Sequence, residues 1–155
     1  MSAKPLNMAP LASSTLVLVF SLWLGGCAAT GSIPSAAEPG GESLACLLPS
    51  NCVNSLSGRG LDPLRFEGTA PEAIDVLKAT LAAFPEARIV KTGALTVEAV
   101  FTTTVGFQDR VDFLFDAPRQ RIDYRSRSLL GLYDFGKNRS RMEAFAQRFE
   151  QVRAR

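Results

Sequence analysis

The chain has 155 residues, of which 46% are hydrophobic, so it has room for one modest globular domain. Its formal net charge of +2 gives no reason to expect nucleic-acid binding. The sequence contains no histidine, which excludes Ser-His-Asp and Cys-His catalytic arrangements and every metal site that needs an imidazole. We therefore expect no catalytic residue, no metal site and no cofactor, and the composition favours a protein that is not an enzyme.

Residues 1–26 have the pattern of a secretory signal. Lys4 supplies a positive start, residues 16–24 form a short apolar core, and two glycines follow. The sequence LGGC at residues 24–27 resembles the lipobox of bacterial lipoproteins. That resemblance implies cleavage before Cys27 and a diacylglyceryl group on its sulfur, so it predicts a lipid anchor.

Two alternatives to the lipid anchor are an uncleaved transmembrane helix and plain secretion. Residues 11–29 are mostly apolar, but hydroxyl side chains and glycines interrupt them, whereas a comfortable span needs about 20 predominantly apolar residues. Ala28 stands where an aspartate would favour the inner membrane, so the outer membrane is preferred. The sequence thus predicts a domain on the periplasmic side of a bacterial envelope, with the membrane as its partner through the anchor.

A flexible tether is predicted at residues 27–43, which are small and polar and include proline and glycine. The predicted globular domain spans residues 44–155. Lipidation of Cys27 would leave Cys46 and Cys52 as an even pair, and secreted domains tolerate disulfides, so we predict that these two are joined. The alternative is a reactive thiol at Cys52, although no histidine is present to activate it.

Two amphipathic helices are predicted in this domain. Residues 69–72 fit a capping box with a proline in the first turn, and an apolar stripe follows as far as Pro85. The same spacing of apolar residues returns near the carboxyl end, which predicts a second helix. The stripes are Ile74, Leu77, Leu81 and Phe84 in the first helix, and Met142, Phe145, Phe149 and Val152 in the second.

Between the helices the apolar residues recur at every second position. Residues 111–116 and 121–125 both alternate apolar with charged side chains across a turn at Pro118, which predicts an antiparallel hairpin with one charged face. Residues 87–90 and 95–104 are predicted as two further strands. The order helix, four strands, helix predicts an α+β fold, in which two amphipathic helices pack on one face of an antiparallel sheet of about four strands.

The segment 125–141, RSRSLLGLYDFGKNRSR, is the most distinctive part of the chain, and it lies within a basic carboxyl-terminal region, residues 119–155. Asn138 is predicted to be the N-cap of the last helix. Arg139 and Arg141 then fall in the first turn, where cations oppose the helix dipole. A negative group should therefore offset these two arginines.

Two explanations are open for this negative group. Asp134, with Asp109 or Asp112, could form an internal salt-bridge network that fixes the turn. Alternatively, Arg125, Arg139 and the free amides of the helix start could hold a bound anion. The candidates for an anion- or partner-binding site are Arg125, Ser126, Ser128, Asp134, Asn138, Arg139 and Arg141.

The sequence CLLPSNCVNS, which begins at Cys46, together with the segment 125–141, resembles the uncharacterised bacterial and plant domain-of-unknown-function family numbered 1499. Ser50, Asn54 and Leu129 depart from that family's pattern, and Leu129 replaces an arginine, which weakens an anion site there. The resemblance implies a fold class but no established activity, and it assigns no catalytic residue. The matching positions are Asn51, Cys52, Val53, Ser55, Arg125, Ser126, Ser128, Gly131, Asp134, Gly136, Asn138, Arg139 and Arg141.

Three functions are compatible with these observations. The leading hypothesis is a non-enzymatic envelope lipoprotein that binds a protein or an anionic envelope component through the segment 125–141. The second is a small hydrolase or lipid-modifying enzyme, without a nucleophile elbow, whose base would be Asp109, Asp112 or Asp134, together with Ser126 or Ser128. The third is a purely structural subunit, which would expose an apolar patch without a pocket.

Overall fold

The fold is known from a computed structural model, and the structure describes residues 44–56 and 61–155. The predicted signal at 1–26, the lipidated Cys27 and the tether at 27–43 lie outside the described residues. None of the described helices is long and apolar enough to span a membrane. The elements are β1 (Cys52–Asn54), β2 (Leu64–Arg65), α1 (Ala70–Leu81), β3 (Ala87–Thr92), β4 (Thr96–Thr102), β5 (Gln108–Asp116), β6 (Arg121–Ser128) and α2 (Lys137–Arg153).

The alternating sequences form the centre of an antiparallel sheet. β5 and β6 pair with Phe113 opposite Tyr124 and Asp112 opposite Arg125, so one face of this hairpin is apolar and the other is charged. β4 pairs with the free side of β5, and β3 pairs with β4. The predicted hairpin and the two further strands before it are therefore confirmed.

The sheet has six strands instead of about four. β1 pairs with the carboxyl end of β6, where Cys52 is opposite Arg127, and β2 pairs with its amino end, where Leu64 is opposite Ile122. Both strands precede α1, so the predicted order of helix, four strands, helix was incomplete at its start. The physical reason is length, because strands of three and two residues are too short to show an alternating pattern.

Both helices contribute their apolar stripes to one core. The predicted capping box of α1 is confirmed, since the Thr69 amide donates to Glu72 Oε2 at 2.8 Å. In α2 the Phe145 ring lies 5.2 Å from that of Phe113 on the apolar face of the sheet. The largest fully buried side chains of this core are Tyr124, Phe101, Phe113, Phe145, Phe149, Leu77, Ile122 and Met142.

The two edges of the sheet are unlike each other. β3 forms one edge, where its side chains from Arg88 onward are exposed and its register shifts between Ile89 and Lys91. The other edge consists of the short β1 and β2, which pair with different parts of β6. The β1 end of that edge is where residues 50–55 meet the segment 125–141.

Candidate functional site

The candidate residues of β6 lie on two opposite faces of the sheet. Ser126 is opposite Val111 and is fully buried against the helices, whereas Arg125 is opposite Asp112 on the charged face. This separation follows from the two-residue period of a strand, in which consecutive side chains point to opposite sides. The seven candidate residues therefore do not form one site.

Asn138 is the centre of the polar cluster on the helix face. It is fully buried, and its Nδ2 is within hydrogen-bonding distance of three oxygens: the Asn51 carbonyl at 3.1 Å, Ser128 Oγ at 3.1 Å and Asp134 Oδ2 at 2.9 Å. Its Oδ1 accepts a hydrogen bond from Ser126 Oγ at 2.6 Å. One side chain of α2 thus links the residue before β1, strand β6 and the loop that follows β6.

A buried ion pair lies beside this asparagine. The Nη2 atom of Arg141 is 2.6 Å from Asp109 Oδ2, and the two side chains are only 10% and 5% exposed. Arg141 Nη1 also donates to Asn138 Oδ1 at 3.2 Å, and its guanidinium lies 5.0 Å from the Phe101 ring centroid. The other carboxylate oxygen of Asp109 accepts from Ser128 Oγ at 2.6 Å. Asp109 therefore supplies the negative group that the sequence required near Arg141.

The start of α2 is capped by Asp134, and the prediction that Asn138 is the N-cap was wrong. Gly136 occupies the N-cap position with φ 77°, a left-handed conformation that favours glycine. This turn lets Asp134 accept from the Gly136 amide at 3.0 Å and from the Asn138 amide at 2.9 Å. Burial raises the pKa of the Asp134 carboxyl, but these amide hydrogen bonds outweigh it, so the pKa lies below its ordinary value.

The Asp134→Asn substitution is expected to remove an acid-sensitive part of the stability. Because the folded-state pKa is depressed, the stabilisation by the carboxylate is complete above the unfolded pKa of about 3.9 and is lost as the pH falls through the folded value. The Tm difference from wild type should therefore be largest near neutral pH and should shrink in acid. Thermal melts across this range test it, with Asp75→Asn on the exposed face of α1 as the control. A Tm difference that does not change with pH would contradict the prediction.

Arg125 forms an ion pair within the protein, on the opposite face of the sheet. Its Nη2 lies 2.7 Å from Asp112 Oδ2, and its Nη1 donates to the Ala45 carbonyl at 3.3 Å. Arg110 extends the chain of charges, because its Nε is 2.7 Å from Asp112 Oδ1 and its Nη2 is 2.9 Å from Glu98 Oε2. Arg125 is thus part of a buried salt-bridge network that joins three strands to the segment before β1.

Arg139 lies nearer the surface, on the first turn of α2. Its side chain is 38% exposed, and its Nη1 is 3.8 Å from Glu143 Oε1. Because Arg125 is on the other face of the sheet with Asp112, the two arginines cannot hold one anion between them. The geometry favours internal salt bridges over the anion site as the explanation of these cations.

The loop between β6 and α2, residues 129–136, is fixed to the segment before β1. The Asn51 Nδ2 donates to the Gly131 carbonyl at 2.7 Å, and Ser50 Oγ donates to the Leu132 carbonyl at 2.5 Å. The Ser50 carbonyl accepts in turn from the amide of Asp134 at 3.2 Å. Ser50 and Asn51 thus hold the backbone of this loop.

The apolar side chains of the same loop face solvent. Leu130, Leu132 and Tyr133 are exposed, and Phe135 is 87% exposed. The Phe135 ring contacts only the edge of Tyr133 among the described aromatic rings, at 5.0 Å between centroids. Sequence reasoning missed this feature, although the apolar run LLGLYDF within an otherwise polar segment was its signal.

An open cleft lies next to the loop. It has a volume of about 630 Å³ and includes Cys46 and Cys52, whose Sγ atoms are 2.04 Å apart in a disulfide. Two of the candidate residues from the sequence analysis, Arg139 and Asp134, line this cleft. The remaining lining residues are Ala45, Pro49, Ser50, Val53, Asn54, Leu56, Tyr133 and Gly136.

The three carboxylates proposed for a hydrolase do not form one site, because Asp109 and Asp134 border the Asn138 cluster whereas Asp112 lies on the opposite face of the sheet. Asp109 and Asp112 point to opposite faces of β5, and each is paired with an arginine. Asp134 accepts the helix amides instead. Within residues 44–56 and 61–155, no group of three or more His, Cys, Asp or Glu side chains could hold a metal ion.

These contacts define a small α+β domain. In it, polar side chains hold the backbone of a loop whose apolar side chains are exposed. The chain belongs to the DUF1499 family, described as a protein of unknown function, whose profile matches residues 44–149. None of the curated proteins compared with the chain matches it. The matched range covers nearly all of the domain and includes the polar cluster of Asn51, Ser126, Ser128, Asp134 and Asn138.

Proposed function

We propose that this protein is a bacterial envelope lipoprotein, anchored through a diacylglyceryl group on Cys27, whose domain is a non-enzymatic binding module. The proposal of a binding module rests on one observation, the direction in which the side chains of the segment 125–141 point. The polar side chains of Ser126, Ser128 and Asp134 point inward to the network around Asn138, whereas the apolar side chains of the 129–136 loop point into solvent. A fixed apolar loop in water is typical of a contact surface.

Sequence features outside the described residues support the proposed location in the bacterial envelope. The apolar core at 16–24 and the LGGC sequence at 24–27 have the order of a lipoprotein signal. An oxidising compartment such as the periplasm would keep the Cys46–Cys52 disulfide closed. Ala28 favours the outer membrane as the destination, which fractionation of the envelope on a density gradient would test.

The hydrolase alternative has no contact that favours it. A base needs a carboxylate that can reach a substrate, and the three proposed carboxylates are held by arginines or by helix amides. The two serines on the helix face are also held, because Ser126 donates to Asn138 and Ser128 donates to Asp109. The binding module is therefore the better account of the geometry.

The intact mass of the full chain expressed in a bacterial host tests the anchor. We expect the wild-type protein in the membrane fraction, starting at Cys27 and carrying lipid. The Cys27→Ser variant should retain residues 1–26 and carry no lipid, because the acceptor sulfur is gone. Cys46→Ser is the matched control and should be processed and lipidated like wild type. A wild-type protein that lacks lipid, or retains residues 1–26, would show that the proposal is wrong.

A further inference from the structure

The exposed apolar side chains of the described residues are concentrated at one end of the sheet. The β4–β5 turn, the 129–136 loop and the segment before β1 meet there, since the Leu129 amide donates to the Gln108 carbonyl at 2.9 Å and Cys52 is opposite Arg127. The six most exposed large hydrophobic side chains all lie in these three segments. They are Leu47, Val105, Leu130, Leu132, Tyr133 and Phe135, and we call this surface the apolar end.

The apolar end is held in a costly conformation. Phe135 has φ 53°, in the left-handed region that bulky side chains rarely adopt, and Gly131 on the same loop has φ 88°. Such backbone conformations persist where surrounding contacts impose them. Here Asp134 accepts from the Gly136 amide across Phe135, and Ser50 and Asn51 hold the carbonyls of the preceding loop residues. The loop is therefore fixed with Phe135 outward, which makes a contact outside the domain the explanation of its exposure.

The charges around the apolar end are basic. Lys137 is exposed next to the loop, and Arg139 is partly exposed one turn into α2. The carboxylates of this region have partners within the domain, because Asp109 binds Arg141, Asp134 binds the helix amides and Glu143 Oε1 lies 3.8 Å from Arg139 Nη1. An apolar tip with basic side chains beside it matches the interface of an anionic bilayer, where apolar groups enter below the headgroups and cations meet lipid phosphates.

We propose that the apolar end inserts into the interfacial region of an anionic lipid bilayer. This inference rests on the proposed function, since a lipid anchor would keep the domain beside a membrane. A flexible tether, as the composition of residues 27–43 predicts, would have a reach of roughly 20–25 Å and would allow the domain to turn its apolar end to the bilayer. The anchor then supplies attachment, and the apolar end sets the orientation of the domain on the membrane.

Tryptophan fluorescence of the lipidated protein tests the insertion. Trp23 is the single tryptophan of the chain and lies within the predicted signal, so Phe135→Trp adds one reporter to the mature protein. The protein is reconstituted in vesicles of equal parts phosphatidylethanolamine and phosphatidylglycerol. We expect a blue-shifted emission and roughly twofold quenching by brominated lipid, because an interfacial side chain lies near the acyl chains. Leu95→Trp, at the opposite end of the sheet, should show neither effect.

Two further measurements make the outcome decisive. Adding Leu130→Ser and Leu132→Ser to the Phe135→Trp protein should return its emission to that of a water-exposed indole. Intact mass establishes the lipid on every sample, so an anchored protein whose Phe135→Trp reporter stays unquenched would overturn the insertion while leaving the proposed anchor in place. A shift that occurs only in native membranes, and not in pure lipid vesicles, would also overturn it and would indicate a protein partner.

Discussion

Replacing Arg141 with methionine is expected to destabilise the domain by about 3–5 kcal/mol, because the substitution leaves a buried carboxylate without its counter-charge. Asp109 is 4% exposed, and its distance of 2.6 Å to Arg141 makes the two groups a hydrogen-bonded ion pair. Methionine has a comparable length, so loss of packing volume adds little. Urea unfolding followed by circular dichroism measures the change.

The double variant Asp109→Asn, Arg141→Met separates the charge from the packing. Once both charges are removed, no unpaired buried charge remains at this position, so this variant should be more stable than Arg141→Met alone. Arg148→Met, at a partly exposed position of α2 whose guanidinium bonds Gln151 at the surface, is the matched control and should change the free energy of unfolding by less than about 0.5 kcal/mol. If Arg141→Met costs less than about 1 kcal/mol, the pair does not hold the domain together.

Replacing Asn138 with alanine is expected to cost about 3 kcal/mol, since it removes several buried hydrogen bonds at one position. Ser126 would lose its acceptor in a fully buried environment, and the Asp134 carboxylate would lose one of its donors. The 129–136 loop should loosen as well, which hydrogen exchange of its amides would detect as faster exchange than in wild type.

Asn138→Asp is the informative companion to the alanine variant, because it keeps the shape of the side chain but replaces the donating nitrogen with an oxygen. That oxygen would stand 2.9 Å from Asp134 Oδ2, where two carboxylates repel each other. We therefore expect it to be at least as destabilising as Asn138→Ala at neutral pH, with partial recovery in acid. A well-tolerated Asn138→Asp would mean that volume, and not hydrogen bonding, makes Asn138 important.

Local patterns of sequence predicted most of the fold. The capping box at Thr69 and the alternation along β5 and β6 are short-range signals, and the structure follows both. The short strands β1 and β2 form only because β6 is already present to pair with them, so their own residues carry no visible pattern. The number of strands could therefore not be predicted from local sequence, because it depends on contacts between residues distant in the chain.

The candidate site was harder to predict than the fold. Asn138 has the side chain of an N-cap, but the left-handed turn at Gly136 moves it into the helix and lets Asp134 take that role. Its partners Asn51 and Ser126 come from other elements, which no local spacing reveals. The separation of Arg125 from Ser126 was accessible, because neighbours on a predicted strand must face opposite sides.

The unequal edges of the sheet bear on how these domains behave when crowded together. A long, flat edge strand is a template on which another chain can add its own strand and begin aggregation. β3 blunts that risk through the irregular register between Ile89 and Lys91 and through its cationic side chains at Arg88 and Lys91. The opposite edge offers only the short, interrupted strands β1 and β2. Among the described strands, neither edge is a good template for the addition of a strand from another molecule. The domain is therefore suited to high local concentration without polymerising through its sheet.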